Sequence, residues 1–236
     1  MITTDILRQV LTDNRNLVAQ KKVFPRDIEI GVLSRCVLVG VRRSGKSYLL
    51  FSKIQSLLAS GHSWDKVLYV NFEDERLMGF DVADFNKLLE VQAELSGKDS
   101  LPALFLDEVQ LIDGWEKFAR RMADAQAEIY ITGSNAKMLS IQIAAALGGR
   151  FLTVNVFPLN FSEYLKAKGV AVRKDVWSST TGKARILRAF AEFFEYGGLP
   201  ECLQFSNKLE YINSIFQKIY LGDIIVRNKV TNALPL

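Results

Sequence analysis

The sequence predicts an α/β protein: a parallel sheet of five strands with helices on its faces, followed by a smaller helical region. Three observations predict it. Short apolar runs alternate with helix-spaced segments between residues 36 and 157, the order that covers a parallel sheet on both sides. Residues 40–47 read Gly-Val-Arg-Arg-Ser-Gly-Lys-Ser and fill every fixed position of the phosphate-cradling pattern G-x-x-x-x-G-K-[ST]. The apolar run Ala103-Leu104-Phe105-Leu106 ends in two adjacent carboxylates, Asp107-Glu108.

In chain order, residues 4–20 form an amphipathic helix, with Ile6, Leu7, Val10, Leu11, Leu17 and Val18 at helical spacing. The connector Val23-Phe24-Pro25-Arg26 leads to the first strand, Cys36–Val39, which enters the glycine-rich loop. A helix leaves that loop from Lys46 through Leu57-Leu58. After a break at Gly61-His62-Ser63 comes the second strand, Lys66–Phe72, and a helix over Asp81–Leu95. The third strand is Leu101–Leu106 and its helix Trp115–Ala127. The fourth strand, Glu128–Thr132, ends at Gly133-Ser134-Asn135, before a helix over Ala136–Leu147. Phe151–Phe157 is the fifth strand, closed by Pro158. Beyond Asn160 the chain reads as helix, broken at Ser178–Gly182 and Gly197–Pro200. Residues 1–160 are thus the expected core and 161–236 a helical lid with the start of a C-terminal region.

Bulk properties bound the function. The chain has 236 residues, 49% of them apolar, enough for a sizeable core. Its longest charge-free stretches, Met138–Gly149 and Phe151–Ser162, are too short to span a bilayer, so no membrane partner is expected. The N-terminus lacks the basic start and apolar run of a secretory signal, and the expected location is cytoplasmic. Cys36 and Cys202 support neither a disulfide framework nor a metal cluster and read as core thiols. Trp64, Trp115 and Trp177 likewise read as core. The net charge is +4, and from Leu165 onward eleven Lys and Arg face six Asp and Glu. That basic tail is compatible with nucleic acid and equally with solvated helix surface.

The chemistry-bearing residues follow from the motifs. Gly40, Val41, Arg42, Arg43, Ser44, Gly45, Lys46 and Ser47 are the expected nucleotide-binding residues. The backbone wraps a polyphosphate, Lys46 reaches the β- and γ-phosphates, and the Ser47 hydroxyl can ligate Mg²⁺. Asp107 is the expected second metal-holding group, acting through a water. Glu108, one residue further on, can orient and deprotonate a water for attack on the γ-phosphate. Asn135 can hydrogen-bond both a γ-phosphate oxygen and that water, or simply cap the helix that begins at Ala136. Arg150 is the candidate for stabilising charge on a transferring phosphoryl group, with a surface arginine as the plain alternative.

Taken together, Gly40–Ser47, Tyr69-Val-Asn-Phe-Glu-Asp-Glu-Arg-Leu77 and Leu106-Asp-Glu-Val-Gln110 resemble a large group of prokaryotic AAA-type ATPases. Members join an AAA ATPase domain to an uncharacterised C-terminal domain. Further matches are Thr132-Gly-Ser-Asn135, Gly149-Arg150, Pro158-Leu-Asn-Phe-Ser-Glu163 and Tyr196-Gly-Gly-Leu-Pro-Glu201, so the resemblance runs from about Arg26 to Arg227. It implies a RecA/AAA-like P-loop NTPase that hydrolyses ATP with Mg²⁺ to drive or time a conformational change. It also implies Asn135 as sensor and Arg150 as an arginine finger, which would require at least a homodimer if it acts on a neighbouring subunit. The group usually continues into a further domain, so a truncated or short member is expected. Two alternatives stay open: a nucleotide-responsive binding module with little turnover alone, and a P-loop kinase. Glu108 and Asn135 speak against the kinase, because both suit positioning water.

Overall fold

The computed structural model describes residues 2–28, 30, 34–97, 100–133, 146–170 and 179–218. The chain divides into two compact units, Met1–Phe157 and Pro158–Leu236. The first carries α1 (Thr4–Gln20), β1 (Arg35–Val39), α2 (Lys46–Ala59), β2 (Val67–Asn71), α3 (Asp84–Ser96), β3 (Ala103–Asp107), α4 (Trp115–Asp124), β4 (Ile129–Gly133) and β5 (Leu152–Asn155). The strand order is β2-β3-β4-β1-β5 and every pairing is parallel, as expected of an α/β P-loop fold.

Strand alternation sends successive side chains to opposite faces, and each face is buried. Val37, Val39, Leu104, Leu106, Ile129 and Ile131 pack with residues of α1, α3 and α4. Cys36, Leu38, Phe105 and Tyr130 pack on the other face with Leu49, Leu50, Phe51 and Ile54 of α2. Parallel pairing puts the tips of β1, β3 and β4 on one edge of the sheet, with β4 between the other two. Val39 is level with Gly133, and Asn71 is level with Asp107. Ligands of open parallel sheets bind beyond that edge.

Several boundaries shift for local reasons. α3 starts at Asp84, three residues late, because Asp81 makes a turn whose carboxylate accepts from the Ala83 N–H at 2.8 Å. α4 stops at Asp124, and Gln126 follows in the left-handed region at φ 60°. The helix predicted over 136–147 falls mostly outside the described residues.

The second unit contains α5 (Phe161–Ala167), α6 (Thr180–Tyr196) and α7 (Lys208–Gln217) among its described residues. Of the expected break at Ser178–Gly182, the described residues 179–182 carry the start of α6. Ser179 caps it, its hydroxyl accepting the Gly182 N–H at 2.9 Å. Two resembling segments have plain structural jobs here. In Pro158–Glu163, Asn160 and Glu163 form a reciprocal capping box for α5. In Tyr196–Glu201, Gly197 ends α6 at φ 72°, and a Cβ on Gly198 would lie 2.1 Å from the Leu159 carbonyl oxygen. Cys202 is buried, as Cys36 is, though in a 3-10 turn (Pro200–Gln204) rather than an α-helix. Trp115 is buried and Trp64 partly so; Trp177 lies outside the described residues. Among the described residues no helix is long and apolar enough to cross a membrane.

Candidate nucleotide-binding site

The loop between β1 and α2 owes its shape to its glycines and to a short backbone turn. Val156 donates its N–H to Val39 O at 2.7 Å, which draws β5 against the loop's first residue. A Cβ on Gly40 would lie 2.1 Å from the Val156 carbonyl oxygen, so this glycine answers to the sheet. Gly45 sits at φ 97° and enters α2 with no side-chain cap, leaving the positive end of a 14-residue helix facing the loop. Ser44 N–H donates to Val41 O at 3.3 Å, and Arg43 adopts φ 62° between them.

Two buried groups of the loop suit a polyphosphate. The Ser44 side chain is fully buried, and its hydroxyl has no hydrogen-bond partner among the described residues. The Lys46 ammonium, 4% exposed, donates to the carbonyls of Gly40 at 3.1 Å and Val41 at 3.0 Å. Burial pushes its pKa below the ordinary lysine value, while the charges of Glu108, Asp107 and Glu73 pull it back up. Both residues of the Asp107-Glu108 pair therefore act on the loop lysine.

Asp107 is wholly buried, and its carboxylate is held by three hydroxyls. Tyr69 donates to Oδ2 at 2.9 Å, Thr132 donates to Oδ1, and Ser47 contributes a third bond. Burial raises the Asp107 pKa, and the three donors oppose that rise. Desolvation, reinforced by the Asp107 charge, keeps the Tyr69 phenol protonated and donating. A serine hydroxyl bonded to a buried aspartate is an all-oxygen donor pair that suits Mg²⁺.

Glu108 leaves β3 in the left-handed region, φ 52°, and its N–H donates to the Thr132 hydroxyl at 3.0 Å. The half-buried carboxylate accepts from Gln110 Nε2 at 2.5 Å. Arg26 adds a brace to the loop: Nη1 donates to Ser44 O at 3.0 Å and Nη2 to Phe157 O at 2.8 Å.

The fold thus gathers Gly40–Ser47, Asp107 and Glu108. Arg150 is elsewhere. It precedes β5 by two residues, at the edge of the sheet where strands begin, and its Nε donates to Asp124 Oδ1 at 2.7 Å. Leu152 is level with Cys36, so about 10 Å of strand separates that edge from the loop. Asn135 lies outside the described residues. Sequence reasoning assigned no role to Arg26, Tyr69, Gln110 or Thr132, although all four fall within the segment that carries the resemblance.

A family model described as an AAA domain matches residues 34–165, more than half of the chain. The chain belongs to the AAA-domain family. That places it among P-loop ATPases in general, and the matched span takes in the phosphate loop, Asp107, Glu108 and β4. The AAA domain also resembles curated relatives. An uncharacterized protein of Methanocaldococcus jannaschii is 38% identical over 98% of this chain and 52% of its own length. An uncharacterized protein of Haemophilus influenzae is 33% identical over 81% of this chain and 46% of its own length. The chain spans about half the length of the curated relatives it matches. Among solved structures, AMPPCP-bound DnaA from Aquifex aeolicus aligns with 98% of this chain and 66% of its own, at 15% identity and a TM-score of 0.42. A DNA replication initiation factor aligns with 97% and 69%, at 16% identity and a TM-score of 0.38.

Proposed function

We propose that this AAA domain binds ATP with Mg²⁺ and hydrolyses it, and that turnover drives or times a conformational change in an attached domain or partner. What supports the reading most is the convergence on Lys46: a buried ammonium whose strongest opposing charges are Glu108 and Asp107, at the tip of a strand one place removed from its own.

The loop amides and the end of α2 hold the phosphates, and Lys46 exchanges its two carbonyl partners for β- and γ-phosphate oxygens. Ser47, with Asp107 behind it through a water, would hold Mg²⁺, which when bound neutralises phosphate charge. Glu108 accepts a proton from water as the water oxygen bonds to the γ-phosphorus. The bond to the β–γ bridging oxygen breaks, giving ADP and inorganic phosphate. Asn135 is the sensor in this reading.

A specific observation favours a second reading, a binding module that barely turns over alone. Arg150 is tied to Asp124 at the far edge of the sheet, so a single copy does not bring it to its own loop. In the hydrolytic reading it serves a neighbouring copy.

Phosphate release per chain, measured across chain concentrations with Mg²⁺ and with EDTA, tests this. The account expects Mg²⁺-dependent release that rises per chain with concentration. Bound ATP with no release at any concentration would leave the binding module.

A further inference from the structure

Gln110 closes the Leu106–Gln110 segment and has no role in the steps above. It lies in the 3-10 turn Val109–Leu111 that follows Glu108. That turn is anchored by the Leu111 N–H bond to the Glu108 carbonyl, 3.2 Å, and by the fully buried Val109. The Gln110 backbone is thereby fixed relative to Glu108. Across this short span the amide Nε2 reaches Glu108 Oε2 at 2.5 Å.

The opposite end of the amide points to what it is for. Gln110 Oε1 is buried and has no hydrogen-bond partner among the described residues. A buried carbonyl without a partner costs free energy that an apolar side chain of the same length would not incur. The amide's favourable contact with Glu108 is at its nitrogen. Glu108 itself is held at the main chain, in the left-handed region and bonded to Thr132. Left-handed backbone at a non-glycine residue persists where the surroundings over-determine it. The Gln110 amide extends that restraint from the main chain to the end of the side chain. Being neutral, it orients the carboxylate without pairing off the negative charge that Lys46 and an incoming water meet.

We propose that Gln110 is a positioning residue for Glu108, holding the carboxylate through Oε2 in the one orientation from which it takes the water's proton. The proposal rests on the hydrolytic reading above. A freely rotating carboxylate would spend part of its time misaligned, and small misplacements of a catalytic group are costly in rate.

The test uses the full chain as wild type, Gln110→Met, Glu108→Gln and the double variant. ATP Kd, KM, kcat and melting temperature are measured for each, with single-turnover release for the slow ones. Gln110→Met should lower kcat about tenfold or more while KM, Kd and melting temperature stay near wild type. The double variant should be no slower than Glu108→Gln, because the amide acts only through that carboxylate. Should Gln110→Met fail to fold, Gln110→Leu, also neutral and without a donor, should show the same split. Wild-type kcat in the variant, or an equal further loss on top of Glu108→Gln, overturns the proposal alone. A wild type that binds ATP and never releases phosphate overturns the hydrolytic reading and this proposal with it.

Discussion

The Glu108 N–H donates to the Thr132 hydroxyl at 3.0 Å, and the same hydroxyl donates onward to Asp107. One side chain on β4 thereby sets both carboxylate-bearing residues at the tip of β3. Thr132→Val keeps the shape and removes both bonds, leaving a buried carboxylate short of a donor. It should cost about 1–3 kcal/mol of stability in urea unfolding, with Thr132→Ser close to wild type. A valine variant as stable as wild type would contradict the relay.

Arg26 ties the phosphate loop to the end of β5 through two carbonyls 113 residues apart in sequence, Ser44 O and Phe157 O. Removing it frees the loop backbone. Arg26→Ala should weaken ATP binding roughly tenfold, the equivalent of about one hydrogen bond, as read by calorimetry. Arg26→Lys should recover only part of that, since an ammonium lacks the planar fork that reaches both oxygens. Unchanged affinity in the alanine variant would remove the brace from the account.

Gly40→Ala sets a Cβ 2.1 Å from the Val156 carbonyl oxygen, backbone against backbone, with no flexible side chain to yield. β5 or the loop must move, at about 1–3 kcal/mol or more. Thermal unfolding should show the loss even without nucleotide. An alanine variant that melts with wild type would mean that β5 does not close on the loop in this way.

The second unit should be acid-sensitive through Glu192. A hydrogen bond from Lys168 and another from Lys208, at 3.0 Å, hold its pKa down to about 2 from an ordinary 4.5. A depressed carboxylate stabilises the fold above its unfolded pKa, and that contribution disappears as pH falls through the folded one. Wild type should therefore lose more stability than Glu192→Gln between pH 4.5 and pH 2. Parallel loss in the two proteins would contradict the ion pairing.

The sequence discloses what rests on local pattern. Gly40–Ser47 is a contiguous string, α1 has regular apolar spacing, and the five apolar runs give the sheet. The proximity of Asp107 to the loop also follows, because motif and topology carry it together. What stays hidden are bonds between residues far apart in the chain. Tyr69 reads as one more apolar position of β2, and nothing in its spacing says that its hydroxyl ends on Asp107, 38 residues later. Arg26 sits in an irregular connector whose path no periodicity records. The place of Arg150, at the edge of the sheet from which β5 starts, depends on the parallel pairing, which spacing alone does not record. Gln110 stands inside the Leu106–Gln110 segment, but its use depends on the left-handed turn at Glu108, which side-chain pattern does not encode.

The central claim is that Glu108 removes the proton from the attacking water, and Glu108→Gln tests it most directly. Mg²⁺-dependent phosphate release and ATP affinity are measured in wild type and variant. The account predicts that release falls by a hundredfold or more, ~10²–10⁴ for a lost general base, while ATP binding stays within a few-fold. Equal release in the two proteins, with binding intact, would contradict it.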